Sequence, residues 1–597
     1  MTEYIPPIRD IKFTLEEVVG LSEVTSMPCF AEATPELVDS VLTEAGNIAR
    51  GVIGPLNRVG DQQGAKQVDG VVRVADGWKD AWQTLVDGGW NGLPFDEDIG
   101  GMGLPNVLNT AVHEMWQAAN MAFTLCPMLT QGAVNALRHY GSDDLKAQYL
   151  PKMVTGEWTG TMNLTEPSAG SDLGAIRTKA VVEGDHYLVS GQKIFITYGD
   201  HEMTENIIHL VLARLPDAPP GMKGISLFLV PKFLIDAAGK PTTRNDVKCV
   251  SLEHKLGIHG SPTAVLQFGD DKGAVGYLIG ELNRGIEYMF TMMNHARLAV
   301  GLQGLGIAGR AYQLALSYAR DRVQGKPVGW TAPTPTGIVN HPDVRRLLMT
   351  MKSHIEAMRA IHYTAAAAYD IAQHHDDGER RKEAQIMVEL LTPIAKGWCT
   401  EIGLTMASHG VQIHGGMGFI EETGAAQHLR DARITTIYEG TTAIQANDLV
   451  SRKVVRDKTG MYAKLMDDIG AFASSLSGNA DDGMKVMAAA LTEGVAAAKR
   501  VLLWLVEAQT QDPRLPAGAA VPTLDLMGSL VGGYFMVKGA VVAQKRIAAG
   551  ADHDGFYAGK LVTARFFCDS ALPHVAALEK VITVGSASIM ALDEALL

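Results

Sequence analysis

Cysteine is scarce here: the 597 residues hold five, Cys29, Cys126, Cys249, Cys399 and Cys568, far apart and never in a CxxC pair. Their odd number and wide spacing exclude a disulfide framework and a structural zinc site, and fit a reducing compartment. Positive charge is not in excess either. Lys+Arg number 52 against 66 Asp+Glu, a net charge of −14, with no long basic run. Phosphate affinity needs clustered cations, so no nucleic-acid partner is expected. Long apolar runs are lacking as well. A membrane span needs ~18 uncharged apolar residues in a row, and the most apolar stretch, Met527 to Val542, is interrupted by glycines and Lys538. The opening MTEYIPPIRDIKF carries Glu3, two prolines and Asp10 where an export signal needs a basic start and an apolar core. A soluble, cytoplasmic protein without a membrane span is expected.

What is present is an ordinary globular composition, 47% hydrophobic and 20% charged. At ~100–200 residues per domain, the length asks for several. After an extended start, Pro35 to Leu56, Gly77 to Gly89 and Leu108 to His139 space their apolar residues three and four apart, so the first stretch reads as mostly α-helical. From Met162 the texture turns to short β-branched runs, KAVVEG, HYLVSGQKIFIT, IIHLVLARL, GISLFLVP and TAVLQFG, separated by Gly, Pro and Asp clusters. Near Gly285 long helical runs return, enough for a four-helix bundle, and past Lys458 follow Ala-rich amphipathic segments such as KVMAAALTEGVAAAKRVLLWLVEAQ. The expected organisation is an N-terminal extension (1–38), a helical domain (39–158), a middle β domain (159–282), a helical bundle (283–456) and an additional helical domain (457–597).

Two patterns mislead. Gly304, Gly306 and Gly309 spell GxGxxG, but a dinucleotide fingerprint follows a strand and opens a helix. This one lies inside a continuous helical pattern and reads as close helix packing. His374, His375, Asp376 and Asp377 resemble metal ligands, yet they sit in the polar stretch HHDDGERRKE, read as a solvated loop between helices. No metal site is expected.

The chemistry concentrates elsewhere. In MNLTEPSAGSDLGAIRTKA (162–180), Thr165, Ser168, Ser171 and Asp172 offer hydroxyl and carboxylate groups, and Gly170 lets backbone approach a ligand. Taken alone, the segment reads equally well as a turn with Asx and Ser caps. It is followed by KIFIT (193–197), a helix ending in ARDR, QIHGGMGF, LRDARI and YEGTTAIQ. Those motifs in that order resemble the acyl-CoA dehydrogenase family over roughly residues 40–455.

The resemblance implies a mainly α fold with a central β domain: an N-terminal helical domain, a middle β-barrel-like domain and a C-terminal four-helix bundle, here with an extra C-terminal helical domain. It implies FAD, contacted by Met162, Leu164, Thr165 and Ser171, and by Phe195, Ile196 and Thr197, with Thr197 at the flavin N5 edge. A second subunit is implied to complete the cofactor site through Arg322, Gln324, Gln412, Gly415 and Gly416, in a homodimer or a dimer of dimers; Thr441 also matches a FAD contact. The loop from Gln324 to Arg345 departs from the family's short turn, and Ala443 stands where a polar residue often touches FAD.

The implied reaction forms a 2,3-enoyl-CoA from an acyl-CoA thioester. It needs a base for an α-proton of very high pKa, and the thioester stacked on flavin with its carbonyl hydrogen-bonded. Glu439 in TTIYEG matches the family base; that segment holds no other acid, and desolvation there would raise the carboxyl pKa. Some relatives place the base just before an arginine on the first bundle helix, but that position is Ala296. Ser171, Met293, Asn294, Arg297, Tyr438 and Gly440 are the implied substrate contacts. The long architecture resembles a subgroup acting on 3-methylmercaptopropionyl-CoA; a short- to medium-chain acyl-CoA fits the same reading. Electron-transfer flavoprotein is the implied acceptor. A long-chain dehydrogenase, or an oxidase passing electrons to oxygen, stays open as an alternative.

Overall fold

The computed structural model describes residues 3–457 and 460–597. Met1 and Thr2, which begin the expected extension, and Lys458 and Thr459, at the expected start of the last helical domain, lie outside the described residues. The chain gathers into two compact units, one of Asn47–Pro105 and Ala119–Ala299, the other of Met1–Gly46, Asn106–Ala118 and Val300–Leu597.

The first unit holds the strands. β1 (Lys66–Val68) and β2 (Val71–Arg73) form a hairpin within the region expected to be mostly helical. Its two-residue turn, Asp69-Gly70, has positive φ at both positions, the geometry that Asp-Gly favours because it matches strand twist. Then come β3 (Trp158–Asn163), β4 (Lys179–Glu183), β5 (His186–Thr197), β6 (Asn206–Arg214), β7 (Ile225–Pro231), β8 (Phe233–Ile235), β9 (Pro241–Arg244), β10 (Val247–Leu252), β11 (Thr263–Phe268) and β12 (Ala274–Ile279). The main sheet runs β10-β11-β5-β12-β7-β6-β3, and β4 pairs with both β5 and β6, closing β5-β12-β7-β6-β4 into a barrel-like ring. β6 and β7 are buried almost throughout, which is why both read as unbroken apolar runs. Inside pack Val189, Ile196, Val211, Phe228, Val230, Leu266 and Phe268.

The second unit is helical. Gly285–Asp321, which begins in the first unit, is followed here by Pro342–His374, Gly378–Pro393 and Cys399–His414. His374 ends one helix and Asp377 caps the next, its carboxylate accepting the Glu379 N–H at 2.9 Å. The GxGxxG lies inside Gly285–Asp321 and two of its three glycines serve packing. A Cβ on Gly304 would meet the Cys399 carbonyl oxygen at 2.5 Å, and one on Gly403 would meet the Gly304 carbonyl at 2.5 Å, whereas Gly309 faces open space. Gly304→Ala is therefore expected to destabilise the protein by roughly 1–3 kcal/mol, and Gly309→Ala to stabilise it by about 0.5–1 kcal/mol through helix propensity. Urea unfolding of the two variants checks this; equal effects would overturn the packing account.

Three expectations change. The start is not extended: Ile8–Lys12, a π-helical turn Phe13–Val19 and Leu21–Thr25 follow the two prolines. Their Ile11, Leu15, Val18, Leu21 and Val24 are buried, so tertiary burial and helical spacing outweigh the prolines, which sit ahead of the first turn. Asp10 there accepts a hydrogen bond from Lys560, which also pairs with Glu356 at 3.2 Å. The Asn106–Tyr140 helix is not continuous but kinks at Asn120 (φ −160°, ψ 90°). The Asn120 amide oxygen accepts the Phe123 N–H at 3.1 Å, restarting the helix as a cap would. The region expected to be mostly helical also contains the β1–β2 hairpin.

Past residue 460 the helices Met461–Ser475, Asp482–Gln511, Ala520–Ala548, Phe556–Ser570 and Pro573–Thr583 bury their apolar faces within this unit. Among the described residues Ala520–Ala548 is the one helix long and apolar enough to cross a membrane, and 78% of its apolar window is buried here. Its glycines admit neighbours: a Cβ on Gly528 would lie 2.2 Å from the Trp398 ring, one on Gly533 2.8 Å from Leu572. A deeply buried ion pair in this unit joins Glu114 with Arg359, whose Nε and Nη2 donate to the carboxylate at 2.9 and 2.6 Å; the Tyr363 hydroxyl donates to it at 2.6 Å.

Candidate functional site

In the first unit β3 ends on Met162 and Asn163, and the chain leaves the sheet into the TEPSAGSD loop. The loop folds on itself, the Glu166 N–H donating to Ala169 O at 2.8 Å and the Ala169 N–H to Glu166 O at 3.0 Å. Leu164 is buried, Thr165 half-buried, and Ser168, Gly170 and Ser171 stand exposed. Asp172 accepts the Gly174 N–H at 2.9 Å, so it is the Asx cap that the turn reading anticipates.

β5 lies alongside, tied by the Ile194 N–H to Thr165 O at 2.9 Å. Opposite β11 its register slips, so that Ile194 and Phe195 face Val265 alone. At this bulge Phe195 takes φ +60° and the residue is 58% exposed. Ile196 points into the sheet core, leaving its backbone for a ligand, and Thr197 is half-buried. An exposed aromatic ring beside a threonine hydroxyl and a loop of exposed hydroxyls suits a flat heteroaromatic group with a polar edge. The residues present fit a flavin. On the Gly285–Asp321 helix, Arg297 Nη1 donates to Asn294 Oδ1 at 3.1 Å one turn back, Met293 is half-buried, and Ala296 is buried.

In the second unit Glu439 occupies a strained turn, φ +56°, followed by Gly440 at φ +87°. A non-glycine residue here costs energy and persists only where neighbours over-determine it. They do. Tyr438 OH donates to Gln303 Oε1, Gln445 Nε2 donates to the Glu439 carbonyl at 3.4 Å, and Thr441 caps the following helix by accepting the Ile444 N–H at 3.4 Å. Burial and the Glu439 charge push the Tyr438 hydroxyl above its ordinary range, so it stays a donor at physiological pH. Although the segment has no second acid, the fold supplies one: Thr442 Oγ1 donates to Glu401 Oε1 at 2.6 Å. Glu439 itself is half-buried.

Also in this unit, Gln412, Gly415 and Gly416 are exposed. Gly415 takes φ +58° with ψ −140°, open only to glycine, and a Cβ on either glycine would meet no atom. Such a bare backbone shelf suits a phosphate or a ring edge. Arg322 and Gln324 are exposed and bonded to each other at 3.2 Å. Next to the shelf, Phe419 is 85% exposed, with Met417 and Ile420 exposed beside it. The sequence reading missed Gln303, Glu401 and the buried partner of Lys193; no local spacing marks them, because each partner is tens of residues away or more.

Family models match along the chain: acyl-CoA dehydrogenase N-terminal domain over residues 61–157, middle domain over 161–270, C-terminal domain over 283–454, and an acetyl-CoA dehydrogenase C-terminal-like domain over 465–593. The chain belongs to the acyl-CoA dehydrogenase family and is an FAD-dependent oxidoreductase. It is 47% identical over 581 residues to 3-methylmercaptopropionyl-CoA dehydrogenase of Ruegeria pomeroyi, covering 97% of this chain and 98% of that one. To a broad-specificity linear acyl-CoA dehydrogenase of Mycobacterium tuberculosis it is 36% identical over 614 residues, covering all of both chains. Its fold matches an acyl-CoA dehydrogenase of Bacillus anthracis complexed with FAD, with a TM-score of 0.74 at 21% identity, over 96% of this chain and 92% of that one.

Proposed function

We propose that the enzyme oxidises 3-methylmercaptopropionyl-CoA, or a short- to medium-chain acyl-CoA, to the 2,3-enoyl-CoA. FAD supplies the hydride acceptor for the β-hydrogen, and Glu439 takes the α-proton, so two electrons and one proton leave with the hydride and the second proton stays on the carboxyl. The observation that carries this reading is the strained Glu439 turn. A glutamate whose backbone is fixed at φ +56° by bonds to its own carbonyl and its neighbours leaves the chain at a defined place, and a defined place is what a general base requires. Supporting the substrate is the 47% identity, spread over nearly the whole of both chains, with the Ruegeria enzyme. The likeness to the broad-specificity Mycobacterium enzyme favours linear acyl-CoA thioesters as the second reading.

In this reading Met162, Leu164, Thr165, Ser171, Phe195, Ile196, Thr197 and Thr441 are FAD contacts, and Ser171, Met293, Asn294, Arg297, Tyr438 and Gly440 are substrate contacts. Arg322, Gln324, Gln412, Gly415 and Gly416 serve the FAD of a second copy, in a homodimer or a dimer of dimers. An exposed apolar group of Met417, Phe419 and Ile420 beside the Gly415 shelf supports such an interface. Electron-transfer flavoprotein is the proposed acceptor. Five free cysteines suit the reducing cytoplasm.

The test is anaerobic mixing of the purified protein, carrying about one FAD per chain, with acyl-CoAs of graded length and with 3-methylmercaptopropionyl-CoA, following flavin bleaching. Fastest bleaching by 3-methylmercaptopropionyl-CoA or a short chain is the expected result. No bleaching by any acyl-CoA would overturn the reaction, fastest bleaching by long chains the substrate, and rapid turnover in air without added acceptor would mark an oxidase.

A further inference from the structure

Beneath the proposed flavin segments lies a buried ion pair. Lys193 Nζ sits 2.8 Å from Glu166 Oε1, with the two side chains 0% and 4% exposed. Two well-packed apolar side chains would serve stability as well or better than a buried pair, because both charges lose their hydration. The arrangement of donors indicates what the charges do instead. Lys193 Nζ also donates to the Leu164 carbonyl at 3.0 Å. Glu166 Oε1 accepts from the Thr178 N–H at 3.0 Å and from Thr178 Oγ1 at 2.6 Å, and Oε2 accepts the Arg177 N–H at 2.6 Å.

The pair therefore stitches together three pieces of chain: the exit from β3 at Leu164, the entry to β4 at Arg177 and Thr178, and β5 itself. The exposed Ser168, Gly170 and Ser171 lie between two of these stitches, and Phe195 follows Lys193 by two residues. Burial opposes ionisation of Glu166, yet the Lys193 ammonium and the surrounding donors hold its carboxyl below its ordinary range. Burial pulls Lys193 down to about 8, with Glu166 opposing the drop, so the ammonium persists at neutral pH.

We propose that Lys193 and Glu166 are positioning residues for FAD: they set the loop hydroxyls of Thr165 and Ser171 against the Phe195 and Thr197 edge of β5. This rests on the reading that those two segments hold the flavin. Both side chains are buried, so the effect passes through backbone placement.

The experiment uses the full chain, stripped of FAD and retitrated. Lys193→Met removes the ammonium and the tie to Leu164; Glu166→Gln, nearly isosteric, removes the charge and one acceptor. Charge-assisted hydrogen bonds of this kind are worth about tenfold or more in an equilibrium. The FAD Kd is expected to rise about tenfold or more in each variant, at a temperature where circular dichroism shows the variant and wild-type apoproteins equally folded. At saturating FAD the visible flavin spectrum should shift, a change that loss of stability alone does not produce. Should Lys193→Met not fold, Glu166→Gln decides by the same two measurements. Variants that bind FAD within twofold of wild type, with a superimposable spectrum, overturn the role of the pair. A wild-type chain that takes up no FAD overturns the pair and the flavin reading together.

Discussion

Glu439→Gln is expected to keep its FAD and its affinity for acyl-CoA while reducing its flavin ~10²–10⁴-fold more slowly, the usual cost of losing a positioned general base. Glutamine preserves the length and shape of the side chain and is no more strained than glutamate at φ +56°. The turn should survive, since Gln303, Gln445 and the Thr441 cap all support it. What disappears is basicity. Stopped-flow bleaching under anaerobic conditions separates the two effects: the affinity from the concentration dependence, the chemical step from the limiting rate. A limiting rate near that of wild type would overturn Glu439 as the base. Ala296 carries only a methyl group and cannot take that role.

The largest stability loss is expected from Arg359→Met. Arg359 and Glu114 are each about 4% exposed at the side chain and joined by paired hydrogen bonds, with Tyr363 as a third donor. Removing the guanidinium strands a carboxylate among apolar groups, which costs about 3–5 kcal/mol. Glu114 tethers the Asn106–Ala118 part of its helix to Pro342–His374, so the loss should be cooperative and read as a lower urea midpoint for the helical unit. Adding Glu114→Gln to Arg359→Met removes the stranded charge and should restore much of that midpoint. A single Arg359→Met variant within about 1 kcal/mol of wild type would show that water reaches the carboxylate, as it does around exposed pairs.

The helices of the bundle, the main strands and the order of TEPSAGSD, KIFIT, QIHGG and YEG are legible in the sequence because each is a local pattern: apolar spacing, β-branched alternation, or a run of turn-forming residues. What escapes is set by partners distant in the chain. The Asp69-Gly70 hairpin is three residues per strand, too short to show alternation among its polar neighbours. The kink at Asn120 sits inside an unbroken apolar period, and only the side chain's capture of the Phe123 N–H reveals it. Glu439 is found through the resemblance of TTIYEG to a family motif, yet Glu401 reaches Thr442 across 41 residues and Gln303 reaches Tyr438 across 135. Lys193 stands in plain view at the head of KIFIT and looks like a surface lysine. Its burial depends on Glu166, contributed from the preceding loop.

The helix Ala520–Ala548 has a consequence for how the protein is made. Its apolar length is bilayer-compatible, and what makes it a core helix is the company of Pro342–His374 and Asp482–Gln511 before it and of Phe556–Ser570 and Pro573–Thr583 after it. On the ribosome the first two partners precede it and the last two do not. From its emergence until Thr583 has emerged as well, a matter of seconds at ~5–20 residues per second, Leu572 and Phe567 are missing from beside Gly533 and Gly532. During that interval the helix offers chaperones, membranes and other nascent chains a greasy face. A stop codon anywhere between Ala548 and Phe556 makes that exposure permanent, so the family's core fold cannot shed the end of this appendage piecemeal and remain a well-behaved protein.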